Sequence, residues 1–409
     1  MYGKLVRGTY RLLARAMRRD DFWKYYDELE KSQYLPLGEI RSLQLIRLKA
    51  LLAHAYDNVP YYRRRFDEAG LKPRDIKTTD DLGKLPVLTK KDIRGNFDNL
   101  IAKNFPRKQM LPYSTSGSTG EPIRFYITRD TIAQRRAVGY RAHRWTGYEM
   151  GDGYVNLWDP PGYFRSRQLK NRLINLFFRV IYLNPLNMSE AELECFIPRL
   201  IRFRPYLIVA YSSAAYILAS YIRSKGIERL MPKAVITVAE MLFDYQREAI
   251  KETLDCEVFE SYACREVGLM AAECPSHSGY HIFAEKLILE FVRDGKPVAS
   301  GETGKILVTD LTNYAMPFIR YENEDLGVPT TNKCPCGISL PLMESIVGKV
   351  TDILVVKDNI ISSPGLNLIF RDLPINQYQV IQEKEDEILV KIVKGEGYTE
   401  AETEVLLKL

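Results

Sequence analysis

Tyr113-Ser114-Thr115-Ser116-Gly117-Ser118-Thr119-Gly120-Glu121-Pro122, running into Ile123-Arg124-Phe125-Tyr126-Ile127, is the stretch on which the reading of this chain turns. Gly117 and Gly120 carry no Cβ, so the backbone can enter the left-handed region and bring its N–H groups close to an anion. Ser114, Thr115, Ser116, Ser118 and Thr119 add hydroxyl donors, and together these features describe a loop that grips a polyphosphate. It is not a Walker loop, because no Lys follows the last glycine at the required spacing; the next basic residue is Arg124. A flexible Ser/Gly linker has the same composition, so the loop needs support from elsewhere in the chain.

Outward from the loop, short apolar β-branched runs alternate with helical patterns. Tyr154–Trp158, Leu207–Tyr211, Ala234–Val238 and Cys256–Tyr262 read as strands, with helices predicted over Arg129–Arg144, Ala214–Ser224 and Phe243–Leu254. That alternation predicts an α/β fold with a parallel sheet covered on both faces, whose ligands bind at the carboxyl ends of the strands. Ala239-Glu240-Met241 and Ser261-Tyr262-Ala263 occupy such ends. From Glu285 onward the pattern changes to strands and turns, among them Leu287–Val292 and Lys305–Asp310, which predicts an antiparallel β subdomain. Upstream, Leu43 to Leu52 form a helical apolar stripe, and Thr79 and Thr89 precede acids as helix N-caps do. The Tyr61-Tyr62 and Arg63-Arg64-Arg65 cluster is read as a helix with a solvated basic face, not as a nucleic-acid site.

Composition bounds the rest. With 409 residues, 46% of them hydrophobic and 27% charged, the chain is long enough for two or three domains and is not disordered by default. No apolar run is long enough to span a bilayer and the N-terminus lacks a secretory apolar core, so a cytoplasmic protein is expected. Reducing conditions then make the six cysteines thiols or metal ligands. Residues 1–19 carry Lys4, Arg7, Arg11, Arg15, Arg18 and Arg19 without an acid, and this predicts either a solvated helix packed on the body or a contact with an anionic membrane or polyanion. Cys334-Pro335-Cys336, with Cys274 and one histidine, supplies the ligand set of a structural Zn²⁺ site; His281 is the preferred imidazole and His277 the alternative.

Four ordered stretches resemble the signature of the adenylate-forming superfamily, and in particular the phenylacetate–coenzyme A ligase family, including its members associated with capsular polysaccharide biosynthesis. Ser116-Gly117-Ser118-Thr119-Gly120-Glu121-Pro122 resembles the triphosphate loop, with Ser116 and Thr119 as catalytic donors. Ala239-Glu240-Met241 and Ser261-Tyr262-Ala263-Cys264-Arg265-Glu266 resemble the adenine pocket, in which the resemblance places Tyr262 beside the purine and makes Glu266 the Mg²⁺ ligand. Tyr314 to Tyr321 with Asp325 resembles the segment whose acid takes the ribose hydroxyls, and Gly348-Lys349-Val350-Thr351-Asp352 resembles the hinge into a small mobile domain.

The resemblance implies a large N-terminal adenylation domain, with a helical part over 1–110, an α/β nucleotide-binding core over 111–284 and a β subdomain with the zinc site over 285–348. A small α+β C-terminal domain over 349–409 completes it. It implies ATP-dependent conversion of a carboxylate to an acyl-adenylate, with release of pyrophosphate, then transfer to coenzyme A or another acceptor. The alternatives are an adenylyltransferase acting on a hydroxyl, and a non-catalytic nucleotide-binding member of a polysaccharide assembly; a homodimer is compatible with each. Trp158, Tyr163, Tyr211, Ser212 and residues near Ala239 are expected to line the acid pocket. The sequence departs from the family pattern at the hinge, where Lys349 replaces Arg and Thr351 replaces an acid. It also lacks a match for the distal catalytic Lys, Lys408 standing too early, so the last domain is expected to be truncated.

Overall fold

The computed structural model describes the chain apart from residues 1, 18–20, 116–121, 159–168, 186–187, 228–229, 348–352, 357–358, 363–369, 371–372, 385–386, 396 and 408–409. Two described strands flank the decisive stretch. Strands β1 (Met110–Ser114) and β2 (Arg124–Thr128) pair antiparallel, Ser114 opposite Arg124. Just beyond them Thr115 and Ile123 continue the pairing with two bonds: the Thr115 N–H donates to the Ile123 carbonyl at 3.0 Å, and the Ile123 N–H donates to Thr115 Oγ1 at 3.0 Å.

The main sheet begins with β3 (Tyr154–Leu157), β4 (Val180–Tyr182), β5 (Leu207–Tyr211), β6 (Ala234–Val238) and β7 (Glu257–Cys264), all parallel in the order β4-β3-β5-β6-β7. Their residues alternate between two buried faces, which is why the runs are apolar throughout. Leu207, Val209, Ile236 and Phe259 pack with Ala137 and Val138 of the helix Arg129–Trp145 and with Phe22, Trp23 and Tyr26 of the helix Phe22–Ser32. Ile208, Ala210, Val235 and Val258 pack instead with Leu193 of Glu190–Phe203, Leu218 of Ser212–Ser224 and Ile250 of Asp244–Leu254.

The same sheet continues antiparallel through β8 (Gly268–Glu273), β9 (Tyr280–Ile282), β10 (Leu287–Arg293), β11 (Lys296–Pro297), β12 (Gly304–Asp310), β13 (Tyr321–Pro329) and β14 (Leu342–Val347). Among the described residues twelve strands run in the order β11-β10-β12-β13-β14-β9-β8-β7-β6-β5-β3-β4. The β structure after residue 285 is hydrogen-bonded edge to edge onto the parallel half, in one large mixed sheet. The cause is local: only Arg265–Val267 separate β7 from β8, too few for a crossover, so the chain must return antiparallel.

A third core gathers Leu48, Leu51, Leu52 and Ala55 of the helix Leu37–Asn58, Tyr62 and Phe66 of Pro60–Glu68, and Phe125, Phe318 and Tyr321. Tyr61 and Tyr62 are buried, and the Tyr62 hydroxyl donates to the Pro317 carbonyl at 2.8 Å while accepting from the Ile319 N–H at 3.1 Å. Thr89 caps its helix as expected, accepting from the Asp92 N–H. Thr79 makes no side-chain cap; Asp81 serves that turn, accepting from the Lys77 and Thr78 N–H groups at 2.8 Å each. Toward the C-terminus lie two small hairpins, Ile353–Val356 with Asn359–Ser362 and Ile375–Lys384 with Glu387–Lys394, and a helix over Glu400–Leu407.

Candidate active site and a cysteine–histidine cluster

Two strand ends meet a third strand to build the site. Ala239, directly after β6, holds φ at +65°, a left-handed conformation that costs a non-glycine residue energy and turns the chain sharply. The turn places Glu240 just beyond the end of β5: its carboxylate accepts from the Ser213 N–H at 2.9 Å, and its carbonyl from the Ser212 hydroxyl at 3.2 Å. Glu240 thus sits at the N-terminus of the helix Ser212–Ser224, where a negative charge is favoured.

Tyr262 lies near the carboxyl end of β7 and is 6% exposed. Its hydroxyl donates to Asp325 Oδ2 at 2.9 Å and accepts from Asn323 Nδ2 at 2.7 Å; Asn323 Nδ2 also donates to Asp325 Oδ2 at 2.9 Å. Asn323 and Asp325 stand on β13, four places from β7 in the hydrogen-bonded order, so the sheet curls back until these strands touch. Period two puts Tyr321 on the same side of β13, and its hydroxyl donates to Glu266 Oε1 at 2.6 Å. Burial beside the Glu266 carboxylate holds the Tyr321 phenol far above its ordinary range, and Tyr262 is raised by burial and then by Asp325. Both phenols therefore remain neutral donors that fix the carboxylates opposite them.

Behind Glu266 the three-residue turn is held by two cations. Arg135 donates to the Glu266 carbonyl and, at 3.3 Å, to the Arg265 carbonyl, and pairs with the fully buried Asp310 at 3.4 Å. Lys286 Nζ donates to the Val267 carbonyl and to the Leu269 carbonyl at 3.2 Å. Burial pushes the Lys286 ammonium down to about 8, with Asp310 opposing the shift. Asn323, Arg135 and Lys286 were not singled out by sequence reasoning, and Tyr321 entered only as the last residue of the quoted stretch Tyr314 to Tyr321. The alternation Tyr321-x-Asn323-x-Asp325 was the available signal for Asn323.

Of the other expected site residues, Ser116, Gly117, Ser118, Thr119, Gly120, Lys349 and Tyr163 lie outside the described residues. Trp158, Tyr211 and Ser212 lie at or just beyond the carboxyl ends of β3 and β5, on the edge where Ala239 and Glu240 stand.

Cys274, His281, Cys334 and Cys336 converge with their ligand atoms all within 4.8 Å of one another. Cys274 follows β8, His281 is the middle residue of β9, and the pairing of β9 with β14 brings up the Cys334-Pro335-Cys336 knuckle just before β14. Cys274 Sγ lies 3.4 Å from Cys334 Sγ, and Cys336 Sγ 3.3 Å from His281 Nε2. Three sulfurs and a nitrogen around Zn²⁺ stand about 3.5–3.8 Å apart along tetrahedral edges, so this donor set fits such an ion with a small adjustment. Burial lowers His281 to about 4, which keeps the imidazole neutral as a ligand must be. His277 points elsewhere, its ring nitrogens 3.4 Å from Glu257 and 3.5 Å from Glu273.

No family model matches the chain. It is similar to the phenylacetate-coenzyme A ligase of Escherichia coli, 30% identical over 351 residues that cover 81% of this chain and 76% of the relative. It is 28% identical over 388 residues to the phenylacetate-coenzyme A ligase of Thermus thermophilus, covering 91% and 85% respectively. Protein CapK of Staphylococcus aureus is 24% identical over 383 residues, covering 90% of this chain and 81% of CapK. Among solved structures, 2-hydroxyisobutyryl-CoA ligase with 2-HIB-AMP and CoA superposes with a TM-score of 0.67 at 20% identity, covering 91% of this chain and 82% of that one.

Proposed function

The chain belongs to the phenylacetate–coenzyme A ligase family of adenylate-forming enzymes, and from that premise we propose that it activates a small carboxylic acid with ATP, releases pyrophosphate and passes the acyl group to coenzyme A. The observation that carries the reading is the three-way contact of Tyr262, Asn323 and Asp325 where β7 meets β13. A flat buried ring beside a carboxylate with two acceptor oxygens is suited to an adenosine: the ring packs on the purine and the carboxylate takes a ribose diol.

In the proposed assignment the loop 116–120 grips the triphosphate, Ser116 and Thr119 donating as charge develops on the phosphates, and Lys349 joins the nucleotide contacts. Glu266 holds Mg²⁺. Its carboxylate is a hard oxygen ligand, oriented by Tyr321, on a turn that Arg135 and Lys286 keep in place. The metal, when bound, neutralises phosphate charge; the chain's own residues position ATP and the acid for in-line attack on the α-phosphorus. Ala239 and Glu240 border the purine. Cys274, His281, Cys334 and Cys336 hold a structural Zn²⁺ whose positions are all filled by protein, so it fastens β8, β9 and the knuckle without activating water. We place the enzyme in the cytoplasm; among the described residues no helix is long and apolar enough to cross a membrane.

The test is ATP–pyrophosphate exchange against aryl, aliphatic and sugar carboxylates, with hydroxylamine trapping of the acyl-adenylate. Exchange that depends on one acid, followed by thioester formation when coenzyme A is added, is the expected result. ATP binding without exchange on any acid would transfer the reading to an adenylyltransferase or a non-catalytic relative.

A further inference from the structure

The cysteine–histidine cluster is closed on one side and open on the other. Cys274 and His281 are fully buried, and the Trp145 ring stands edge-on to the imidazole with centroids 5.4 Å apart, walling the inner side. Cys334 and Cys336 are half-buried, and Lys333, Pro335 and Gly337 around them are exposed, so the knuckle is the side that faces water. Its two sulfurs are held differently. Cys336 Sγ accepts from the Ile338 N–H at 3.4 Å and lies 3.3 Å from His281 Nε2. Cys334 Sγ lies 3.4 Å from Cys274 Sγ, its partner across 60 residues of chain.

A thiol that ligates a cation is held deprotonated, and the thiolate is the nucleophilic form, so a half-exposed ligand sulfur is open to a peroxide while a buried one is shielded. We propose that Cys334 is an oxidation site: a hydroperoxide converts it to a sulfenic acid, Cys274 closes a disulfide with it, and the metal is released. The proposal rests on the structural zinc assigned above. In the first step the Cys334 sulfur attacks the hydroxyl oxygen of the peroxide; an S–O bond forms, the O–O bond breaks, and the other oxygen takes a proton from solvent and leaves as alcohol or water. In the second the Cys274 thiolate attacks the Cys334 sulfur; the S–S bond forms, the S–O bond breaks, and hydroxide takes a proton and leaves as water. Together the two sulfurs lose two electrons and the peroxide gains two.

Cys274 is the partner because it stands within reach on another segment, whereas Cys336 is separated from Cys334 by Pro335 alone, whose ring fixes φ and resists so tight a loop. Once the two sulfurs are joined, Cys336 and His281 are left as donors, too few for the tetrahedral set that Zn²⁺ requires. The new bond ties the end of β8 to the knuckle as the metal does, so the pairing of β9 with β14 persists when the metal has gone. Reduction by a dithiol returns both thiolates and with them the site. The same four side chains thus serve two fasteners, a metal under reducing conditions and a covalent bond under peroxide.

The test uses the whole chain, purified under reducing conditions, with hydrogen peroxide as the oxidant. Zinc is followed with a chromogenic chelator, free thiols are alkylated, and the digest is read by mass spectrometry. Expected are release of about one zinc per chain, a linked peptide joining Cys274 to Cys334 in the same proportion, and recovery of both thiols and of zinc binding after dithiothreitol. The peroxide-treated chain should melt closer to the parent than chain stripped by a chelator with its thiols reduced. Cys336→Ser keeps both partners and should form the same linked peptide without metal; Cys195→Ser removes an exposed competing thiol and should leave the result unchanged. Zinc held through the treatment, a bond between Cys334 and Cys336, or Cys334 found as sulfinic acid beside an alkylated Cys274 would each overturn the inference. Chain that carries no zinc before oxidant is added overturns the metal assignment instead, and the linked peptide then still decides the bond.

Discussion

The Tyr262 hydroxyl is the smallest unit on which the site depends, because it both donates to Asp325 and accepts from Asn323. Tyr262→Phe keeps the ring and removes those bonds, at a cost of about 1–2 kcal/mol in stability. The expected kinetic result is a KM for ATP raised by about tenfold with kcat less affected, since the lost group orients a binding residue. For Glu266→Gln the Tyr321 hydrogen bond can persist, so folding is retained, while Mg²⁺-dependent exchange should fall by about 10²–10³-fold. Unchanged turnover would remove Glu266 from the assignment.

At the same scale, Glu260 on β7 makes a pH prediction. Burial lifts its carboxyl to about 7 from 4.5, against the bonds it accepts from Tyr280 and the Leu242 N–H. A raised folded-state value means that the native chain holds the proton longer than the unfolded one. Stability is therefore fully present below about 4.5 and declines as pH rises through 7. Glu260→Gln should raise stability near pH 8 by about 1–3 kcal/mol and do nothing near pH 4, by urea denaturation at both values.

At the scale of elements, the reliable sequence signals were periodic ones. Leu207–Tyr211 and Ala234–Val238 form strands with the boundaries that their β-branched runs predict. Tyr262, Glu266 and Asp325 were legible because each closes a recognisable motif. Lys286 and Arg135 were not, since their work is done on main-chain carbonyls of the turn Arg265–Val267, and a carbonyl leaves no mark in side-chain spacing. Nor did any local pattern announce that β13 touches β7, a contact that curls the sheet across the three strands between them.

Arg135→Met tests this element. It removes both the turn contacts and the partner of buried Asp310, and we expect a stability loss of about 1–3 kcal/mol. Exchange should fall too, with partial recovery in Arg135→Lys. The cysteine–histidine cluster is the second element-scale test. Cys334→Ser should abolish bound zinc by mass spectrometry and lower stability by about 3–4 kcal/mol, the linkage expected for a metal held at 100–1,000 times its Kd. Wild-type stability without zinc would remove the metal from the fold.

At the scale of the whole molecule, one sheet links the proposed nucleotide site to the cysteine–histidine cluster: β8 begins two residues after Glu266 and ends next to Cys274. The pairing that completes this sheet joins β9 to β14, Leu342 opposite His281, and encloses β10 to β13 between them. On the ribosome, that closure sets a schedule. Cys274 is made 60 residues before Cys334, an interval of roughly 3–12 s at typical elongation rates. Throughout it the nascent chain presents Cys274 without Cys334 and Cys336, next to β9, whose partner β14 has not yet been translated. Early capture by oxidants or by a neighbouring nascent chain is the hazard of this topology, and slow codons between β9 and β14 would lengthen it.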